Sequence, residues 1–447
     1  MDGVSYTVSS GTCPSKPHGV RIFQSVVLPH FEDALLCSTR SCMRVLLAVL
    51  LLMLAACSDD VSGADASIDA AVDAAWDLGA VDLGAVDAES VDAAPDLGPA
   101  DSGMHAVADE LDVLFVINNA ADMAEEQNQF AIQLPRFARI LAEGDLDTDG
   151  EMDFRPVPKI QLGVVTGDMG TMGYLGIDTC DEPMFGDDGI LRTEGNTASL
   201  GCMAMYDSYL AFDSEEHPTD VGLGAGLVAQ DSACVARAGE GGCMFQSLLE
   251  AALKAVTPSA DTGVEFFGPS LGHGDEPNAG LINPNAVVLV VVLSNTDDCS
   301  VDPNSADVYN RLSAEFTGEL SLRCHNYPSA LRTLDRYVSG FHALRTEYPE
   351  RVIFGAIAGI PDDLLASADP NYAAILADER MQEVVPSGTF ELAAACTSSF
   401  AAGTATPARR LVQTAAMFAP NSFVSSICAN DLVSRMAARV ASAFPAP

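Results

Sequence analysis

The chain has 447 residues, enough for two or three average domains or for one large domain with a tail. It carries 63 acidic residues against 22 basic ones, a net charge of -41 that repels phosphate backbones and anionic headgroups and argues against nucleic-acid binding. Its 12 cysteines are many for a reducing compartment and ordinary for an exported protein.

Met43-Arg44 opens a compact apolar run, Val45 to Ala56, too short to span a bilayer and closed by small residues before Cys57. That is the pattern of a signal peptide, and Leu54-Ala55-Ala56-Cys57 resembles the lipobox of bacterial lipoproteins. The resemblance implies that Cys57 is lipidated and becomes the first residue. Ser58 in the next position favours the outer membrane over retention at the inner one. On this reading residues 1–42 are an extension upstream of the true start and residues 43–56 are the signal segment. The competing reading is a plain membrane anchor with an incidental cysteine. From residue 57 to 108 the chain repeats Asp, Ala, Val, Leu and Gly, and no Lys or Arg occurs between Arg44 and Arg136. Like charges along a low-complexity segment keep it extended, as a tether would be. An acidic binding tail is the alternative, without a motif behind it.

Residues 109–447 carry alternating strand and helix patterns. Asp112-Val-Leu-Phe-Val-Ile is a short apolar run that ends in Asn118-Asn119-Ala120-Ala121, and Ala124 to Leu141 is helical in pattern, with Asp122 as expected N-cap. Lys159 to Thr166 predicts a second strand, ending in the polar turn Gly167-Asp168-Met169-Gly170. Tyr174 to His217 reads as inserted loops. Gly222-Leu-Gly224-Ala-Gly226 follows no buried strand, and Pro218-Thr219-Asp220 looks like a helix start, so a dinucleotide fingerprint is rejected. Phe245, Leu248, Leu249, Ala252 and Leu253 give one helical face. Asn285 to Leu293 has the unbroken aliphatics of a central parallel strand and ends in Ser294-Asn295-Thr296-Asp297-Asp298-Cys299. A helix over Ser329–Tyr348 and a strand over Arg351–Gly359 follow. Leu411–Phe418 is either a last strand or a helix, and Asn430–Phe444 is a closing helix capped by Asn430 or Asp431. The expectation is an α/β fold: a doubly wound, mostly parallel sheet flanked by helices, with disulfide-bonded loop insertions.

Between the first helix and second strand, Asp145-Leu-Asp147-Thr-Asp149-Gly150 places hard oxygens at alternate positions before a glycine, as a calcium loop needs. With Asp153 these residues are candidate Ca²⁺ ligands. Pro156 stands where a full EF-hand has its bidentate acid, and a merely solvated acidic turn is the alternative. Eight cysteines fall in this region: Cys180, Cys202, Cys234, Cys243, Cys299, Cys324, Cys396 and Cys428. An even number in an exported protein argues for four disulfides, with sequential pairing as the economical expectation. No CxxC or HxxxH spacing supports zinc.

Three polar turns at strand ends and the phrase Asp-Val-Leu-Phe-Val-Ile-Asn-Asn resemble von Willebrand factor type A domains, particularly those of bacterial surface lipoproteins. Gly-Val-Val-Thr-Gly-Asp-Met-Gly, Leu-Glu-Ala-Ala-Leu-Lys, Asp-Asp-Cys-Ser and Ser-Ile-Cys-Ala-Asn-Asp extend the likeness from about Asp109 to Phe444. The resemblance implies a metal-ion-dependent adhesion site, in which Asp-x-Ser-x-Ser, a distant Thr and a further Asp hold Mg²⁺ for an acidic ligand. This chain departs at each place: Asn118, Ala120 and Asp122 replace the first motif, Glu240 stands at the Thr turn, and Asn295 at the later Asp. Amides are weaker donors than carboxylates and bring no charge to offset Mg²⁺ desolvation. The expectation is a degenerate site without Mg²⁺, the alternative a rewired cation site on Asp122 and Glu240.

The expected function is a lipid-anchored binding or adhesion module, not an enzyme, presenting the loops above its sheet to a protein or glycan. A structural envelope lipoprotein with Ca²⁺-stabilised loops is the runner-up. A hydrolase using Asp168, Asp297 and Asp298 is weaker, because aspartates at strand ends more often serve as turn and cap residues.

Overall fold

The computed structural model describes residues 108–398 and 403–446. The upstream extension, the signal segment, Cys57 and all of the tether except Ala108 lie outside those residues. In chain order the strands are β1 (Glu110–Ile117), β2 (Lys159–Thr166), β3 (Tyr209–Asp213), β4 (Val287–Ser294), β5 (Val352–Ala358), the short pair β6 (Cys396–Thr397) and β7 (Thr404–Ala405), and β8 (Ser422–Ser426). Six of them form one sheet in the order β3-β2-β1-β4-β5-β8, parallel throughout except for the antiparallel edge strand β3. The α/β expectation is met.

The principal helices are α1 (Ala124–Glu143), α2 (Val221–Ala236), α3 (Leu248–Val256), α4 (Leu334–Ala343), α5 (Tyr372–Ala377), α6 (Arg409–Met417) and α7 (Ser434–Ala443). Strand alternation sorts them into two layers. Val113, Phe115 and Ile117 of β1 pack with α1, α2 and α7, whereas Leu114 and Val116 pack with α3, α4 and α6. All eight residues of β4 are buried, as an aliphatic run covered on both faces must be. Helix α1 forms because Phe130, Leu134, Phe137 and Leu141 fall on one face, all fully buried, and it ends at Gly144, whose φ of 75° closes the last turn. The glycine run at 222–226 lies inside α2, where a Cβ on Gly222 would stand 2.0 Å from Glu143 Oε1 on α1. Gly222 thus serves close helix packing, and Gly224 leaves room for the His217 ring, 2.4 Å from where its Cβ would stand.

Several boundaries differ from expectation. The insertion over Tyr174–His217 contains β3, whose mixed Tyr-Leu-Ala-Phe-Asp composition gave no strand signal. Phe245 precedes α3 and instead packs against Tyr309, ring centroids 4.9 Å apart, in a separate apolar cluster. The expected helix over Ser329–Tyr348 shrinks to α4, with short 3₁₀ turns at Pro328–Ala330 and Pro349–Arg351 on either side. Leu411–Met417 is helical, within α6, with Phe418 as its C-cap, and the last strand is β8, where three buried serines replace the aliphatics that mark a strand. The closing helix begins at Ser434, and Asp431 accepts from the Val433 and Ser434 N–H groups at 3.1 and 3.0 Å.

All eight expected cysteines form disulfides: Cys180–Cys243, Cys202–Cys234, Cys299–Cys324 and Cys396–Cys428. Sequential pairing holds for the last two and fails for the first two, which are nested. The insertion folds back, so Cys202 meets Cys234 on α2 and Cys180 reaches the turn ending in Cys243. The buried Lys254 of α3 ties the same insertion down through Asp188 and also donates to Ser270 in the loop that follows α3. Among the described residues no helix is long and apolar enough to cross a membrane.

At the foot of β1, Asp112 is fully buried, accepting from Asn283 N at 2.6 Å with the Arg345 guanidinium 4.0 Å away. Burial pushes its carboxyl up to about 7, against the Asn283 hydrogen bonds and the Arg345 charge. Between the ordinary value of 3.8 and about 7 the folded group holds a proton that the unfolded group has lost, so its contribution to stability falls as pH rises through that window. In urea unfolding, Asp112→Asn should remove about 2 kcal/mol of the decline in stability between pH 5 and pH 7. A variant whose pH profile parallels the wild type would contradict this assignment.

Candidate functional site

β1 sits between β2 and β4, with Ile117 in register with both Thr166 and Leu293. The turns after the three strands therefore emerge side by side at the sheet's carboxyl edge, where open α/β sheets place ligands. Asn118 is the first residue past β1 and is fully buried. Its Oδ1 accepts from the Ala120 N–H at 2.8 Å, which fixes the amide's orientation. The Nδ2 group then faces three acceptors: Ser294 Oγ at 3.0 Å, Asn295 Oδ1 at 3.1 Å and Thr296 Oγ1 at 3.2 Å. Asn295 continues the chain of amides, donating from Nδ2 to the Asp122 carbonyl at 3.2 Å.

Asn119 is held by Gln246, whose Nε2 donates to its Oδ1 at 3.1 Å, and the turn carrying Glu240 is drawn in by Gly242 N donating to Asn119 O at 2.8 Å. Gln127 on α1 joins these pieces, donating to Asn118 O at 2.9 Å and to Gly239 O at 2.8 Å. Asp122 is not the N-cap of α1. Its φ of 68° is left-handed, and Met123 takes the cap position without a capping side chain. The orphan Ala124 N–H is met instead by Glu240 Oε1 at 3.3 Å, a cap supplied from another loop.

The five positions singled out by the adhesion-site pattern thus do meet: Asn118 bonds Asn295, Asn295 bonds Asp122, Glu240 caps the helix after Asp122, and Ala120 anchors the Asn118 amide. Their polar atoms bond to one another and to backbone. Among the described residues, the carboxylate group that could converge on one metal is Asp145, Asp147 and Asp149, with ligand atoms within 4.8 Å of one another; Asp122 and Glu240 belong to no such group.

Beside this turn lies a cleft of about 780 Å³, walled by the start of α1, the Glu240 loop, the turn after β4, and the segments around His325, Glu391 and Arg410. Asp297 accepts from the Arg410 and Leu411 N–H groups at 2.8 and 3.2 Å and caps α6. Burial pushes its carboxyl up to about 7, against the Arg410 hydrogen bond and charge, although the side chain keeps some opening to the cleft. Asp298 accepts from Leu249 N at 2.9 Å, Ser300 Oγ at 2.7 Å and Arg410 Nη2 at 3.1 Å. Asp168 accepts from Gly170 and Cys243 N–H, both at 2.9 Å, while burial moves its carboxyl upward. All three aspartates weighed for hydrolysis are committed to turn and cap hydrogen bonds.

In the loop from Asp145 to Gly150, Asp145 accepts from Thr148 N at 2.7 Å and Gly150 N at 2.9 Å, and Gly150 has a left-handed φ of 91°. Asp153 stands outside the three-carboxylate group and closes the loop by accepting from Leu146 N at 2.8 Å. The hydrogen bond from Asp149 N lowers the Asp147 carboxyl, but desolvation and the charges of Asp149, Asp153 and Asp145 carry it upward overall.

Gln127, Gln246, Glu126 and Arg410 were not foreseen. Gln127 had one available signal: it lies on the apolar stripe Met123, Gln127, Phe130, Leu134, where a polar residue needs a buried partner. No family model matches the chain, and no curated protein matches it. Asn118→Asp keeps the shape of the hub but replaces two amide protons with a buried negative charge facing three oxygen atoms. It should lower stability by about 3 kcal/mol in urea unfolding at pH 7. An unchanged midpoint would show that the amide is not the hub.

Proposed function

We propose that this protein is a lipid-anchored binding module of the von Willebrand type A kind, held off the outer membrane by its acidic tether and offering the cleft at its sheet's carboxyl edge to a protein partner. The observation that carries the reading is the cleft of about 780 Å³ beside the turn of β1. It has mixed apolar and acidic walls, and disulfides Cys299–Cys324 and Cys396–Cys428 brace the loops around it. Rigid loops on a fixed sheet lower the ordering cost of association. We further propose that the turn of β1 holds no Mg²⁺, because the Asn118 amide already supplies positive hydrogen atoms to the oxygens that a cation would bridge.

A photo-crosslinking residue at Met244, which is 36% exposed in the cleft wall, should capture a protein on intact cells. The same residue at Ile132, 55% exposed on α1 and outside the cleft, should not. Equal capture at both positions, or none at Met244, would contradict the reading.

A structural role with Ca²⁺-stabilised loops is supported by the convergence of Asp145, Asp147 and Asp149 within 4.8 Å. Excess Ca²⁺ should then raise the melting temperature by roughly 3 °C or more, and Asp147→Asn should abolish the gain. A melting curve that Ca²⁺ leaves in place would count against that loop as a calcium site.

A further inference from the structure

The cleft is strongly unbalanced in charge. Its basic residues are already engaged: Arg410 with Asp298 at 3.1 Å, and His325 facing Glu383 at 3.7 Å. Asp122, Glu125, Glu126 and Glu240 line the same cleft, and among the described residues none of the four has a basic partner. Exposed acids on a protein this negative would mean little by themselves. Glu126 is different, because it is only 5% exposed and, among the described residues, its Oε2 has no hydrogen-bond partner. A buried carboxylate oxygen left unpaired costs several times what an exposed one does. Its other oxygen abuts the backbone of Gly403, where an added Cβ would lie 2.0 Å away, so the carboxylate is packed in place. Burial, followed by the charges of Glu125, Asp122 and Glu240, raises its carboxyl.

We propose, on the basis that the cleft is a partner site, that Glu126 with Asp122, Glu125 and Glu240 forms a subsite for the guanidinium of an arginine projecting from a protein partner. The four acids are too dispersed to converge on one small ion, since they contribute to no group of three ligand atoms within 4.8 Å among the described residues. A guanidinium suits dispersed acceptors, because it carries five N–H donors in a planar fork. Its methylene stem suits the apolar part of the wall at Met244, Phe245 and Leu322. The turn that resembles a site for acidic ligands held through a metal would thus take a basic ligand directly.

The test uses the full chain and a fluorescein-labelled peptide, Gly-Ser-Gly-Leu-Arg-Leu-Gly-Ser-Gly, with counterparts in which citrulline or Glu replaces Arg. Fluorescence anisotropy should show saturable binding of the Arg peptide, at least tenfold weaker binding of the neutral citrulline isostere, and none of the Glu peptide. The affinity should fall as NaCl is raised. Glu126→Gln and, separately, the exposed Glu125→Gln should each weaken the Arg peptide at least threefold while the melting curve holds, which separates lost binding from lost folding. Equal binding of Arg and citrulline peptides, or insensitivity to both substitutions, would overturn the proposal. Spermidine binding more tightly than the Arg peptide would also overturn it, by making a free polyamine the ligand. Crosslinking from Met244 without Arg-peptide binding would sink this subsite and leave the binding module standing. Arg-peptide binding without cellular crosslinking would do the reverse.

Discussion

The site depends on one neutral hydrogen-bond hub, the Asn118 amide. Three strand-end turns converge at the carboxyl edge of this sheet, each bringing oxygen atoms into a buried space. Oxygens crowded together need positive charge or protons between them. A cation can supply the first and an amide the second. Here Nδ2 of Asn118 faces Ser294, Asn295 and Thr296, while its Oδ1 takes the Ala120 N–H. The arrangement is self-sufficient without a charge, because each amide in the chain is oriented by the bond on its other end.

The remainder of the architecture keeps that hub in place. β1 and β4, adjacent and buried on both faces, fix Asn118 against Ser294. Gln127 and Gln246 fasten the hub to α1 and to the Glu240 loop, and Glu240 supplies the helix cap that Asp122, in its left-handed conformation, cannot. The consequence is a charge pattern that the adhesion-site motif would not produce. On the proposal that amide protons take the place of a cation here, the acids around the turn stay uncompensated and face the cleft.

The legible parts of this fold were those where one physical signal dominates. β1, β2, β4 and β5 are aliphatic runs of strand length, and burial on both faces leaves them no other reading. β3 and β8 were missed because an edge strand with mixed composition and a strand carrying three buried serines lack that signal. α4 is shorter than the apolar periodicity between 329 and 348 suggests, running from Leu334 to Ala343. Disulfide partners depend on how the insertion folds back onto α2, information that lies in no local stretch of chain. At the site, the meeting of Asn118, Glu240 and Asn295 was legible through family resemblance alone, since they are far apart in sequence. Glu126 sits in the first turn of α1, where an acid is ordinary. Its burial follows from the segment at Gly403, distant in sequence and without a recognisable motif.

The most direct test of the account is anomalous diffraction from crystals soaked in MnCl₂. With an amide hub, the maps should show no peak within coordination distance of Asn118, Asn295, Asp122 or Glu240. A manganese peak between Asp122 and Glu240, or one displacing the Asn118 amide from Ser294 and Thr296, would contradict it and restore a metal to this turn.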